Sequence, residues 1–224
     1  MGFHYSPKII TSGLQIALDA KNPKSYPGSG LTWYDLSGNG RNFTWNSTSW
    51  NNEGYFLTSG KRATGPASNS VGIDNSSGYT VMINFKTLSG GSNGAFNFAG
   101  SPSSRGIFMH PGWTNDTIYF DQGGCCNADQ RITYYNADII SSNWSVVVLR
   151  STVATRSIFY NGIKVTNTTT AAANINLSST AIDLGDAEAY DWNGNLASFY
   201  VYNRGLSDEE CVQNSRALMS RFGL

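Results

Sequence analysis

Short alternating segments recur along most of the chain, and Gly, Asn or Ser residues separate them. In LQIALDA, residues 14–20, the side chains of Leu14, Ile16 and Leu18 share one face of an extended strand. Residues 78–88, GYTVMINFKTL, show the same alternation, and no long helical periodicity occurs before the C-terminal region. Because successive side chains of a strand point to opposite faces, this spacing predicts strands. Many short strands separated by turns indicate a β-sandwich or barrel.

Two hairpins are predicted from local sequence. In RSIFYNGIKV, residues 156–165, the dipeptide Asn161-Gly162 separates two alternating arms. This dipeptide is preferred in a type I′ turn, because both central residues need a positive φ. Residues 117–122 and 131–136 are predicted to pair around a loop that contains two adjacent cysteines.

The closing segment WNGNLASFYVYNRGLSDEE, residues 192–210, predicts one long strand that leads into a helix. Phe199 and Val201 share a face of the strand, and Leu196 is out of phase with them, which predicts a bulge. Ser207 precedes Glu210 by three residues, the spacing of a capping box. A single helix is therefore expected over about 208–220, with one side on the sandwich.

The length of 224 residues suits one β domain. No repeat period is evident, and the Gly/Ser-rich stretches are too short to link two domains. We therefore predict an N-terminal arm over 1–12 and a single sandwich domain over 13–224 that includes the C-terminal helix.

The charge of the chain is balanced, with 15 basic and 15 acidic residues. A net charge of zero excludes the long-range positive field that nucleic-acid and anionic-membrane binders use. Only 13% of the residues are charged, against roughly 25% in ordinary soluble domains. The surface must therefore be rich in Asn, Ser, Thr and Gly, which is typical of exported and virion proteins.

The N-terminal sequence MGFHYSPKII lacks the basic and apolar regions of a signal peptide. No apolar run reaches the roughly 18 residues of a membrane span. We therefore expect synthesis in the cytoplasm and no membrane insertion. Cys125, Cys126 and Cys211 form a poor disulfide framework, because the count is odd and adjacent cysteines pair only in a strained eight-membered ring. We therefore expect all three cysteines to be free thiols.

Three segments resemble one known family. Residues 143–165 (NWSVVVLRSTVATRSIFYNGIKV) and 181–211 (AIDLGDAEAYDWNGNLASFYVYNRGLSDEEC) are similar to the Trp-led hairpin and the closing strand-to-helix motif of laminin-G-like domains. These domains belong to the concanavalin A-like lectin/glucanase superfamily. Residues 13–42 (GLQIALDAKNPKSYPGSGLTWYDLSGNGRN) resemble a version of the domain found in virion proteins of phages and large viruses. The resemblance implies an all-β, two-sheet antiparallel jelly-roll sandwich with one short C-terminal helix.

Catalysis is not expected. Glucanases of this superfamily carry paired carboxylates on one strand, and retaining hydrolysis needs them about 5–5.5 Å apart. The nearest pattern here is Asp186, Glu188 and Tyr190, in which the third position is not acidic. We therefore predict a protein that is not an enzyme.

Two loops carry oxygen ligands of the kind that calcium prefers. Asp35 lies in one loop, and Asp186 and Asp191 lie in the other. The alternative is that these side chains form Asx turns with their own backbone. Related lectin domains hold calcium at a sandwich rim, so the resemblance makes a Ca²⁺ site at these residues a hypothesis.

Sugar recognition uses an exposed aromatic ring with amides around it. Trp113 and Trp192 lie in turns and are the best candidates, with Tyr190, Asn115 and Asn193 beside them. The alternative for both tryptophans is structural packing.

The leading functional hypothesis is a non-enzymatic virion component of a capsid or tail. Its expected partners are other virion proteins, and it is expected to adhere weakly to host-surface glycans. The alternatives are a free or cell-surface carbohydrate-binding lectin and a glycoside hydrolase.

Overall fold

A computed structural model describes residues 7–185, 187 and 190–221. The chain folds into two antiparallel sheets of eight strands each, with one α-helix near the C-terminal end of the described residues. This confirms the predicted all-β, two-sheet fold with a C-terminal helix. The strands are β1 (Leu14–Asp19), β2 (Thr32–Trp33), β3 (Phe43–Trp45), β4 (Trp50–Asn51), β5 (Tyr55–Leu57), β6 (Arg62–Ala67), β7 (Tyr79–Thr87), β8 (Phe96–Ala99), β9 (Arg105–Pro111), β10 (Thr117–Gln122), β11 (Arg131–Tyr135), β12 (Ser145–Ser151), β13 (Arg156–Tyr160), β14 (Ile163–Thr168), β15 (Ala181–Gly185) and β16 (Gly194–Tyr202). A 3₁₀ turn covers Ser68–Ser70, and α1 covers Asp208–Met219.

The first sheet, sheet A, has the order β14-β13-β12-β7-β16-β5-β4. Strand β16 pairs with β7 along one side; on its other side it pairs first with β5 and then with β1. The second sheet, sheet B, has the order β11-β10-β9-β8-β15-β6-β3-β2. Strands from the two ends of the chain therefore meet in the middle of sheet A.

The main core lies between the two sheets. Val81 and Ile83 of sheet A and Phe96 and Ile107 of sheet B are among its fully buried members. At about 25 cal/mol for each Å² of apolar surface removed from water, burial on this scale is the main term that stabilises the fold. The alternation of the side chains thus decides which face of each strand belongs to the core.

A second apolar cluster covers the outer face of sheet A. Met82 and Val148 of the sheet pack with Cys211 and Leu218 of α1. Residues 7–12, the described part of the predicted arm, lie along the same helix. The amide of Ile10 donates to Asn214 Oδ1 at 2.8 Å, so the arm and the helix hold each other on the sheet.

Local predictions of turns and bulges are confirmed. Asn161 and Gly162 have φ values of 47° and 78°, and they join β13 to β14. The β16–β7 register shifts between Leu196 and Ser198, which is the predicted bulge. Strands β10 and β11 also pair as predicted.

The N-terminal strand differs from its prediction at one position. Ile16 and Leu18 face the main core, but Leu14 packs against the second cluster on the other side of sheet A. The β1–β16 register shifts between Leu14 and Ile16, so the alternation breaks there. A bulge of this kind reverses the face of every residue beyond it.

The start of α1 has the predicted capping box. The Ser207 hydroxyl accepts from the Glu210 amide at 3.2 Å, and the Glu210 carboxylate accepts from the Ser207 amide at 2.8 Å. Within the part of the chain that is described, α1 is too short and too polar to cross a membrane, and no other helix there qualifies.

Candidate functional site

The outer face of sheet B carries polar and aromatic side chains. In β9, Ile107 and Met109 point into the core, so Phe108 and His110 point outward. In β10, Ile118 and Phe120 point inward in the same way. The alternation of two adjacent strands therefore places polar and aromatic side chains together on the outer face of sheet B.

Asp121 is the charged centre of this surface and is fully buried. The register of β10 and β11 places it opposite Arg131. Arg131 donates from Nε to Oδ1 at 2.5 Å and from Nη2 to Oδ2 at 2.7 Å. Arg105 donates from Nη1 to Oδ2 at 2.9 Å. One carboxylate therefore orients two guanidinium groups, and hydrogen bonding to Asp121 raises the pKa of Arg131.

Above Asp121 lies a concave site of about 260 Å³, which we call the aromatic cup. Its lining residues are Arg105, His110, Trp113, Tyr119, Cys125, Cys126, Arg131 and Tyr190. Sites for drug-sized ligands span about 300–1,000 Å³. The cup is therefore the size of a small ring-shaped group rather than of an extended chain.

Aromatic rings form the walls of the cup. Trp113 is half-buried, and its ring centroid lies 4.4 Å from that of His110, 6.3 Å from Tyr119 and 6.1 Å from Tyr190, all edge-to-face. The guanidinium of Arg131 lies 4.6 Å from the Tyr119 ring centroid. Edge-to-face pairs and guanidinium stacking lock these rings in one arrangement.

His110 forms the floor of the cup and is neutral at physiological pH. Burial lowers its pKa to about 4, and the positive charge of Arg105 acts in the same direction, although the hydrogen bond to Asn93 opposes them. Its Nδ1 donates to the Asn93 carbonyl oxygen, so Nε2 is the acceptor and faces Arg105 Nη1 at 3.3 Å. The imidazole therefore has a fixed tautomer.

A tight turn between β9 and β10 places Trp113. The Trp113 amide donates to the Thr117 carbonyl at 3.0 Å. Gly112 has a φ of 102°, and a Cβ there would lie 2.6 Å from Ile139 Cγ2, so glycine is required. The Asn93 side chain donates to the Gly112 carbonyl at 2.9 Å. The same asparagine thus anchors both Trp113 and His110.

Solved structures show the same fold at low sequence identity. A Trypanosoma rangeli sialidase in complex with sialic acid matches with a TM-score of 0.68 and 11% identity, over 97% of this chain and 36% of the sialidase chain. The binding domain of botulinum neurotoxin DC in complex with rat synaptotagmin II matches with a TM-score of 0.65 and 14% identity, over 92% of this chain and 52% of the toxin domain. The receptor-binding domain of the botulinum neurotoxin C/D mosaic serotype gives 0.65 and 13%, over 94% and 52%.

These neighbours contain β-sandwiches of the concanavalin A type. The chain has a concanavalin A-like fold. It spans about a third of the length of the sialidase and about half of the toxin domains, and identity at this level shows the fold alone. No protein-family model matches the sequence, and no curated protein matches it.

The structure brings some of the predicted sugar-binding residues together and separates others. Trp113 and Tyr190 lie edge-to-face at 6.1 Å, and both line the cup. Asn115 is exposed and donates to the Tyr119 hydroxyl at 3.1 Å, so it supports the cup wall. Asn193 is exposed and donates instead to Ser89 Oγ at 3.1 Å.

The expectation of an exposed Trp192 ring is wrong. Trp192 is fully buried and lies edge-to-face on Phe85 at 5.7 Å. Its Nε1 donates to Thr87 Oγ1 at 3.3 Å, which satisfies the indole inside the core. Trp192 therefore belongs to the core and presents no ring face to a ligand.

Two of the three residues predicted for calcium, Asp35 and Asp191, have other partners. The Asp35 carboxylate accepts four hydrogen bonds, from the amides of Ala17, Ser37 and Arg41 and from the Ser37 hydroxyl, at 2.7–3.0 Å. This arrangement is the Asx alternative, and it fills the positions that a cation would need. Asp191 accepts from the Gly60 amide at 2.7 Å, and Asp186 lies outside the described residues. Within the described ranges, no group of three or more His, Cys, Asp or Glu side chains is placed to hold a metal.

Most residues of the cup lie outside the set predicted from the sequence. Arg105, His110, Tyr119, Asp121 and Arg131 were not predicted as site residues. Strand alternation was the available signal, because a core that contains Ile118 and Phe120 requires Tyr119 and Asp121 on the other face. The predicted β10–β11 pairing then places Arg131 beside Asp121.

Proposed function

We propose that this protein is a non-enzymatic glycan-binding β-sandwich and that its ligand occupies the aromatic cup. The observation that carries this proposal is the wall of three aromatic rings, Trp113, Tyr119 and Tyr190, around two oriented guanidinium groups. An aromatic face packs against the apolar C–H face of a sugar, and fixed donors select its oxygens. The cup offers both in a preformed arrangement.

A binding role is favoured over hydrolysis. The described residues that line the cup include no carboxylate. Below them, both oxygens of Asp121 already accept hydrogen bonds from guanidinium groups, so neither is available to act on a ligand in the cup. Two carboxyl groups at the separation needed for glycoside hydrolysis are not brought together by the described residues of the cup. Glu188, the nearest acidic candidate in the sequence, lies outside the described residues.

The neighbouring structures support the proposal at a coarser level. One is a sialidase in complex with sialic acid, and two are toxin domains whose names describe binding or receptor binding. Recognition of surface ligands is therefore compatible with this fold. The ligand and the location of the site in this chain are inferred from the cup alone.

The test is a glycan array followed by titration calorimetry, each with calcium and with EDTA. We expect binding of at least one glycan that EDTA does not abolish, because the cup needs no metal ligand. Trp113→Ala and Tyr119→Ala should each weaken binding by about fivefold or more, since each removes a ring worth about 1 kcal/mol or more. Tyr135→Ala is the matched control, because Tyr135 is 66% exposed on β11 and does not line the cup.

Three results would contradict the proposal. One is an array with no binding at any glycan. The second is binding that Trp113→Ala and Tyr119→Ala leave unchanged in folded variants. The third is turnover of the bound glycan that disappears in Glu188→Gln, which would establish a hydrolase.

We further propose a virion surface, on a capsid or tail, as the setting of this binding activity. Support comes from the resemblance of residues 13–42 to virion versions of the domain and from the low charge content of 13%. Other virion proteins would then be partners. Analytical ultracentrifugation of the purified protein and mass spectrometry of candidate particles test this setting. A strictly monomeric protein that is absent from particles would favour a free or cell-surface lectin.

A further inference from the structure

Two adjacent cysteines lie at the mouth of the aromatic cup. The loop between β10 and β11 carries Cys125 and Cys126, and both side chains are exposed and line the cup. Cys211, by contrast, is buried on the face of α1 that packs against sheet A. Two thiols are therefore accessible to solvent at the point where a ligand would enter.

The loop that carries the pair is held in place from several sides. The Gly123 amide donates to the Gly106 carbonyl at 2.8 Å, and the Ala173 amide donates to the Asp129 carbonyl at 2.7 Å. The buried Arg156 donates from Nη2 to the Ala128 carbonyl at 2.8 Å. A Cβ at Gly123 would lie 2.4 Å from the Asn174 carbonyl oxygen, so the backbone packs closely there. The two cysteines therefore have a defined position relative to the cup.

The two sulfur atoms face each other. Successive side chains of an extended strand point in opposite directions. Cys126 instead has a φ of 84°, which turns its side chain back, and its Sγ atom lies directly against the Sγ atom of Cys125. A left-handed backbone at a residue other than glycine is uncommon and is typical of functional loops. The loop thus presents a preassembled dithiol rather than two independent thiols.

We propose that Cys125 and Cys126 are a reversible thiol–disulfide modification site and that their oxidation reshapes the mouth of the aromatic cup. The oxidant is a small-molecule disulfide. The thiolate of one cysteine attacks it, forms a mixed disulfide and releases one small thiol. The thiolate of the other cysteine then displaces the second small thiol and closes the Cys125–Cys126 bond. Two electrons pass to the oxidant, and the two thiol protons end on the released thiols.

The local electrostatics make this reaction dependent on pH. The hydrogen bond with Cys126, together with partial burial, raises the pKa of the Cys125 thiol. Because the thiolate is the nucleophile, closure should accelerate as the pH rises. Closure replaces two polar S–H groups with one apolar S–S group in the lining that Trp113 and Tyr190 share, so it changes both the shape and the polarity of the entrance.

The first experiment maps the bond in the intact protein. The protein is equilibrated with reduced and oxidised glutathione at several ratios, alkylated without denaturation, digested and analysed by mass spectrometry. We expect the peptide that contains Cys125 and Cys126 to be alkylated twice under reducing conditions. Under oxidising conditions it should escape alkylation and be lighter than the reduced peptide by two hydrogen atoms.

Two variants serve as controls for the mapping. Cys211→Ser should leave the mass change intact, because the buried cysteine takes no part. Cys126→Ser should abolish it, leaving Cys125 either free or joined to glutathione. The proposal is wrong if the wild-type pair stays alkylatable at every ratio, or if oxidation produces only glutathione adducts or intermolecular dimers.

The effect on the cup rests on the proposed glycan-binding function and is measured separately. The glycan array is repeated with reduced and with oxidised protein, and we expect at least a threefold difference in signal that Cys126→Ser removes. Equal signals for the two forms would overturn the effect on the cup. An array without binding in either form contradicts the glycan-binding proposal, whereas the peptide masses still decide whether the disulfide forms.

Discussion

At the scale of single residues, His110 gives the fold a pH dependence of known sign. Its pKa is about 4 in the folded protein, below its ordinary value of 6.5, because burial disfavours the charged ring. The unfolded chain therefore binds more protons between these two values, and the free energy of unfolding falls as the pH falls through this window. Above pH 6.5 this contribution is fully present.

The matching variant is His110→Asn, which keeps a donor for the Asn93 carbonyl but has no titrating ring. Urea unfolding is measured at pH 7, 5.5 and 4.5. As the pH falls, the free energy of unfolding of the wild type should decrease more than that of the variant, by up to about 3 kcal/mol. Carboxylates contribute equally to both proteins, so the difference isolates the histidine. Identical pH profiles would show that His110 is charged in the folded state or exposed.

Trp113 and Trp192 show why the site was only partly predictable. Both follow a strand and lie in short polar loops, so local sequence gives them the same description. Trp113 ends half-exposed in the cup, whereas Trp192 is fully buried on Phe85. Burial depends on which distant strand passes over a ring, and neighbouring residues do not encode this. The role of Asp35 could not be predicted from local sequence for the same reason, because three backbone amides from two segments surround its carboxylate.

At the scale of elements, the capping box of α1 should stabilise the helix and the cluster beneath it. Ser207→Ala removes the acceptor of the Glu210 amide and should lower the free energy of unfolding by about 1 kcal/mol. Ser207→Thr keeps a hydroxyl at this position and should cost much less. Chemical denaturation of the three proteins at neutral pH measures the difference. Equal losses for both variants would mean that the hydroxyl does not cap the helix.

The longer elements were predicted well and the shortest ones poorly. Strands β7, β12 and β16 each contain several periods of alternation, and the capping box and the Asn161-Gly162 turn are local signals. Strands β2 and β4 have two residues each, which is too short for any period to appear. The order of the strands in each sheet depends on contacts between distant segments, so neither the alternation pattern nor the family resemblance predicted it.

At the scale of the whole molecule, the pairing of β1 with β16 should limit the rate of folding. Leu18 pairs with Phe199, so the ladder joins segments from opposite ends of the chain. Closing such a long loop has an entropic cost before any contact stabilises it, and folds of this type are slow. Described segments near the two ends also contact each other, because the Gln213 side chain donates to the Lys8 carbonyl at 2.8 Å.

A circular permutant tests this expectation. It joins residue 224 to residue 1 with a Gly/Ser linker and opens the chain in the exposed loop at Gly91. The β1–β16 pairing then becomes local, and stopped-flow refolding should be about tenfold faster or more at similar stability. The control is the linear protein in its original order, with the same linker added to one end. Unchanged refolding of the permutant would place the slow step in another part of the sandwich.

The central position of β16 also matters while the protein is being made. A ribosome releases β1, β5 and β7 long before β16, the strand that pairs with all three. During that interval β7 exposes an unpaired edge with Val81, Ile83 and Phe85 along one face, and such edges recruit strands from other nascent chains. The demand for chaperone protection should therefore persist until the closing strand emerges from the ribosome.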